Sequence, residues 1–143
     1  VFNAAKGKVG YLAGLPAAND ALIAVPIETT GIVSDATMRD YADLGTLLAG
    51  ASNEQTTMGR KTLTGVTVTV DNSADKVLVD ADDVTWASAT GNAVSAMVIC
   101  YDGDTTSGTD ANLLPLVKLD CVVTPDGTDF SMVFTVGGFY TAQ

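Results

Sequence analysis

Histidine is absent from this 143-residue sequence, and its absence removes whole classes of chemistry. Without imidazole there is no Ser-His-Asp or Cys-His catalysis, no histidine metal ligand and no histidine pH switch. Cations are scarce. Seven Lys and Arg stand against seventeen Asp and Glu, a net charge of −10 with a pI near 4.1. Binding nucleic acid would require a basic patch that the sequence does not contain. The two cysteines, Cys100 and Cys121, cannot by themselves make a four-ligand zinc site. Apolar runs are a few residues long, far short of the roughly 20 that a membrane helix needs. No charged stretch followed by an apolar core and a cleavage site is evident at the start. Residue chemistry therefore predicts a soluble globular domain that is not an enzyme, carries no cofactor, and binds neither membrane nor nucleic acid.

What the chain does contain is enough apolar material to fold. Hydrophobic residues make up 47%, with a mean hydropathy of +0.28, which sets it apart from disordered acidic chains. Its length suits one domain that needs neither disulfide nor metal. The charge is split along the sequence. Residues 1–61 hold five cations against six acids, net −1, whereas residues 62–143 hold two against eleven, net −9. Fifteen of the seventeen acids are Asp, which favours turns and caps over helix interiors. The expectation is an acidic, strand-and-loop second half facing outward, with the cation-bearing first half turned toward partners.

Periodicity gives the elements. Residues 1–19 show scattered Gly and no sustained period, and read as an irregular N-terminal arm before a single β-rich domain over 20–143. Residues 21–27 suit a strand with Pro26 at an edge or bend. Ser34 or Asp35 can cap a helix over about 35–49, with Met38, Tyr41, Leu44, Leu47 and Leu48 on one face; Gly45 could divide it. From residue 62 the period becomes two. Val66, Val68 and Val70 alternate with threonines, predicting one buried and one solvated face. Further strands are expected at 76–80, 84–86, 93–101, 113–123 and 130–136. The stretch at 93–101, apolar on both faces, should be central. The Thr124-Pro125-Asp126-Gly127 turn should close a hairpin between the last two. The architecture expected is mainly β, a small antiparallel sandwich or barrel with one short helix.

Four candidate sites carry alternative readings. The loop Asp102–Asp110 repeats Asp at the spacing of a calcium loop, but its Gly is one place late and Leu113 occupies the twelfth position. The competing reading, and the preferred one, is a hairpin loop capping its own amides. Asp80, Asp82 and Asp83 could do acid–base work only if desolvated in a cleft; a solvated turn is the plainer explanation. Cys100 and Cys121 fall in adjacent predicted strands, where a disulfide is conceivable and reduced core thiols are preferred. Trp86 could stack on a sugar, yet it alternates in phase with Val84, which favours packing. Lys6, Lys8, Arg39, Arg60 and Lys61 are the candidate contacts to an acidic partner or another subunit, against the simpler reading of solvated charges.

Three stretches together resemble a family of short virion structural proteins of tailed phages, especially those of actinobacteria. The first is Ser34–Leu44 running on to Asn53–Thr62. The second is Val68-Thr69-Val70-Asp71-Asn72, then Asp82-Asp83-Val84-Thr85-Trp86. The third is Val98–Asp110 with Leu114-Pro115-Leu116, and Gly138-Phe139-Tyr140 near the end. The resemblance covers most of residues 20–143 and implies a capsid decoration (cement) or minor capsid protein. Such a protein would sit on the outer capsid surface of the virion, bound to the major capsid protein lattice. It would self-associate as a homo-oligomer, with a trimer expected. The family supplies no catalytic residues. The alternative function is a carbohydrate- or receptor-binding β-module on a phage tail or cell surface, which predicts exposed aromatics lining a groove.

Overall fold

A computed structural model of the chain describes residues 1–15, 19–50 and 52–143. At its centre is a four-stranded antiparallel sheet in the order β2-β1-β6-β7, built from β1 (Ala21–Glu28), β2 (Lys61–Thr62), β6 (Val94–Asp102) and β7 (Leu113–Val123). A three-stranded sheet joins β3 (Thr67–Asp71), β4 (Lys76–Asp80) and β9 (Tyr140–Ala142), and a ribbon joins β5 (Val84–Trp86) to β8 (Phe130–Met132). The mainly β, sandwich-like architecture read from the sequence is the one found.

Alternation along β6 explains why both of its faces are covered. Val94, Met97 and Ile99 enter one core with Leu22, Val79, Trp86, Leu116 and Phe139. Ala96, Val98 and Cys100 enter a second core with Val25, Ile27, Met38, Leu44 and Leu47. Strand side chains point alternately to opposite faces, so a run apolar at every position must be covered twice. The smaller sheets cover the first face, and the helical segment over residues 35–49 covers the second.

The predicted single helix is two: α2 (Asp35–Met38) and α3 (Leu44–Ala49). Ser34 caps α2, its hydroxyl accepting from the Thr37 amide at 3.3 Å. The division falls at Asp43, before Gly45. Asp43 takes extended backbone and its carboxylate accepts from the Thr46 amide at 2.7 Å, so it starts a new helix in place of continuing the old one. The apolar face survives the break, because Met38, Leu44 and Leu47 are all buried in one core.

Residues 1–15 are more ordered than the irregular arm expected. They form a 3-10 turn at Asn3–Ala5 and a short helix, α1 (Val9–Ala13), and Phe2, Ala5 and Val9 are buried in the two cores. The remaining arm residues 16–18 lie outside the described residues. Pro26 sits within β1, paired in register with Met97, not at an edge or bend. On the side where its N–H would point, β1 meets a loop in place of a paired strand, with the Gln55 amide donating to the Pro26 carbonyl at 2.9 Å, so the proline breaks no strand ladder.

Two further expectations are overturned. Strands β7 and β8 do not form a hairpin; β7 pairs with β6, and β8 pairs with β5. The intervening loop hydrogen-bonds to Ala89 through Gly127 and Thr128, which carries the chain across to β5. In β3, Val68 is 36% and Val70 63% exposed, so the alternating valines do not form a buried face. That strand lies at the edge of a narrow sheet whose inner face α1 covers only in part.

Candidate functional site

The carboxylates that the sequence grouped are turned onto the backbone around them. In the loop after β6, Asp102 accepts from the Asp104 amide at 3.0 Å. Asp104 accepts from the Thr106 amide and hydroxyl at 3.0 and 2.5 Å and from the Ser107 hydroxyl at 2.7 Å. Those hydroxyl bonds, from Thr106 first, hold the Asp104 carboxyl below its ordinary pKa. This is the self-capped loop. Asp80 accepts from the Ala81 amide, Asp82 from the Thr64 hydroxyl at 2.8 Å, and Asp83 from the Phe134 amide at 2.9 Å. Each of the three ties down a different segment. Among the described residues, no group of three ligating side chains converges on one point.

The five candidate cations do not form one surface. Arg60 is committed within the molecule: its guanidinium grips Glu54 at 2.8 and 2.6 Å and Asp110 at 2.7 Å. Hydrogen bonds to Glu54, then Asp110, raise its pKa further above the ordinary value. Lys61 lies beside it on β2, the sheet edge farthest from β7. Arg39, by contrast, is drawn toward the start of the chain. Its carbonyl accepts from the Asn3 amide at 2.8 Å, and Asn3 donates through its side chain to Asp40 at 2.5 Å. Lys6 and Lys8 follow directly on the same turn, and both are exposed. Among the described residues Lys6, Lys8, Arg39 and Lys61 make no ion pair.

A cation that the sequence reading passed over joins this end. Lys118, on β7, bonds to Asp35 at 2.7 Å and to Asp120. Burial opposes its charge, but its bonds to Asp120 and Asp35 outweigh that and leave its pKa raised. A depression of about 260 Å³ is lined by Asp35, Met38, Arg39, Lys118 and Asp120. The Arg60–Asp110 and Lys118–Asp35 pairs both join the first half of the sequence to the second. The charge split along the chain is therefore partly interleaved in space, two second-half acid or base groups being paired with first-half partners.

Trp86 is buried at 2% exposure, stacked on Phe130 with centroids 5.6 Å apart, and its Nε1 donates to the Gly59 carbonyl at 2.9 Å. Of the nine aromatic residues, Tyr11 alone is exposed. Cys100 and Cys121 are both free thiols. Cys100 is in register with Pro115, so Cys121 lies six residues farther along β7, roughly 20 Å away at strand rise. They also enter different cores, and no disulfide can span that separation.

The residue with the densest polar network is Gln55, 1% exposed. Its Nε2 donates to the Thr90 and Asn92 carbonyls at 3.2 and 3.1 Å, and its Oε1 accepts from the Thr57 and Met58 amides at 2.7 and 3.1 Å. Gly91 passes so close, at φ +109°, that a Cβ there would collide with the amide nitrogen. No periodic signal in the sequence marks a buried glutamine. With carboxylates capping loops, aromatics packed inside and a cation group at one end, the arrangement is suited to holding a shape and contacting a partner. Searches of family models, curated proteins and solved structures found no match to this chain.

Proposed function

We propose that this chain is a non-enzymatic virion structural protein that decorates and stabilises the outside of a tailed-phage capsid by binding the major capsid protein. The observation that carries the reading is the grouping of Lys6, Lys8 and Arg39, exposed and without an ion pair among the described residues, on a molecule of net charge −10. Exposed at the same end of the molecule, they provide a footing for an acidic surface. The body behind them is braced by two cores and self-capped loops, as a part that must hold its shape on a shell requires. The carbohydrate- or receptor-binding alternative loses its best residue, since Trp86 is inside the protein.

Charge reversal is the test. Deleting the first residues would remove buried Phe2 and Val9 and confuse binding with folding. The triple variant Lys6→Glu/Lys8→Glu/Arg39→Glu changes exposed positions only. In co-sedimentation with undecorated capsids it should lose at least about tenfold in affinity, and wild-type binding should weaken as salt is raised. Undiminished binding by the variant would remove the footing. Failure of the wild type to bind capsids would remove the decoration role itself.

A further inference from the structure

The sheet edges of this protein are treated unequally. The long outer edge of β7 carries Pro115, Lys118 and Asp120, and the Phe2 amide donates to the Leu116 carbonyl at 3.1 Å. Proline, charge and a covering segment are the usual devices that stop one edge pairing with another. The outer edge of β3 has no proline and one charge, Asp71 at its end. Thr67-Val68-Thr69-Val70 contains no charge and no proline, and its register with β4 runs without a bulge from Thr67↔Asp80 to Asp71↔Lys76. Among the described residues nothing pairs with that edge, and all four side chains are exposed.

We propose that β3 is a self-association edge, through which two copies of this chain join antiparallel about a two-fold axis at Thr69. The pairing fuses two three-stranded sheets into one of six, β9-β4-β3-β3-β4-β9. The register follows from the residues. Centred on Thr69, the axis sets each Val68 opposite the other copy's Val70, and Thr69 opposite Thr69. Valine pairs and threonine pairs are favourable cross-strand neighbours. The valines share the face that α1 partly covers, where Gly10 and Gly14 bring that helix close to Val77 and Val68.

Charge selects both the partner and the direction. Each copy carries −10, so copies can approach only where charge is sparse. Asp71 is the one charged residue of the strand. Antiparallel pairing sets it against Thr67, leaving the two Asp71 about 14 Å apart, beyond the roughly 8 Å screening length of physiological salt. Parallel pairing would set Asp71 against Asp71. An isologous contact of this kind closes at two copies, so it gives a dimer in place of the trimer that the family resemblance implied. The interface is small, under the roughly 1,200 Å² of a standard one, so association is expected between about 20 and 500 µM. The inference does not rest on the capsid reading.

Sedimentation equilibrium of the full chain up to about 1 mM reads the mass, and Thr69→Lys and Thr69→Glu probe the axis. Thr69 is exposed, and circular dichroism with a melting curve confirms that each variant folds. The wild type should dimerise, more tightly at high salt as self-repulsion is screened, the opposite of the salt response expected for the cationic footing. Each variant alone should weaken the dimer at least about tenfold by placing like charges face to face, and an equimolar mixture of the two should restore it. A wild type monomeric throughout, a larger assembly, variants that dimerise as the wild type does, or a mixture that fails to restore pairing would each overturn the proposal.

Discussion

Gln55 holds four backbone groups with one side chain, two carbonyls at Thr90 and Asn92 and two amides at Thr57 and Met58. Replacing it with Leu keeps the bulk but leaves those groups without that partner inside the protein. Unpaired buried polar groups cost about 1–3 kcal/mol each, partly recovered by relaxation, so Gln55→Leu should destabilise by about 2–4 kcal/mol in urea unfolding. The cysteines make a second residue-scale prediction. Burial pushes the Cys100 thiol up to about 12, and it raises the half-buried Cys121 as well. A thiol reagent at pH 8 should therefore modify Cys121 slowly and Cys100 only once the protein is unfolded, because the thiolate is the reacting form. Modification of Cys100 at the rate of Cys121 in the native state would contradict its place in the second core.

Between the helices the decisive contact is the Asp43 cap. Asp43→Ala should cost about 1 kcal/mol, seen as a lower urea midpoint with unchanged slope, because α3 then starts with unsatisfied amides. Turns that depend on ionised aspartate predict the acid response. Asp71 is held low chiefly by the Ser73 hydroxyl, Asp104 by Thr106 and Asp126 by Thr128, each below the ordinary value of 3.8. A carboxyl whose folded pKa is depressed contributes its full stability above the unfolded value, and loses it as pH falls through the folded one. Tm should therefore hold as pH drops from 7 to about 4 and fall below that, with a smaller fall in Asp104→Asn. Asp104 and Asp126 are exposed and Asp71 is only partly buried, so the effect is modest. The aspartates read as turn formers from composition alone are found forming turns, because an Asx contact spans two or three residues and needs no distant partner.

Across the whole molecule, the two long-range ion pairs Arg60–Asp110 and Lys118–Asp35 stitch the two halves of the sequence together. Arg60 also satisfies Glu54, whose side chain is only 12% exposed. Arg60→Gln should lower stability by about 1–3 kcal/mol, more than an exposed pair would, since Glu54 keeps its charge and loses its partner. A change indistinguishable from zero would show that water replaces the guanidinium. The close approach of Gly138 to β4 acts over a similar span. At φ +59° it lets the Phe139 amide donate to the Val79 carbonyl at 3.0 Å, and a Cβ there would meet that same oxygen. The sequence places Gly138-Phe139-Tyr140 in order, but nothing in it says which strand they meet.

The sequence by itself determined the local elements: β4, β5 and β7 at their observed bounds, the doubly buried character of β6, a helix cap at Ser34 or Asp35 and the packing of Trp86. Each depends on a period of two or on contacts within a few residues, which the order of side chains encodes directly. Only tertiary structure decided that β8 leaves β7 for β5, that β3 is an exposed edge, that Arg60 is bound to its own chain, and that Lys118 joins the end where Arg39 lies. Those outcomes depend on which distant strand lies alongside, and the alternation pattern that makes a strand is the same for every partner it could choose. For the candidate site, residue types were therefore legible and their grouping was not.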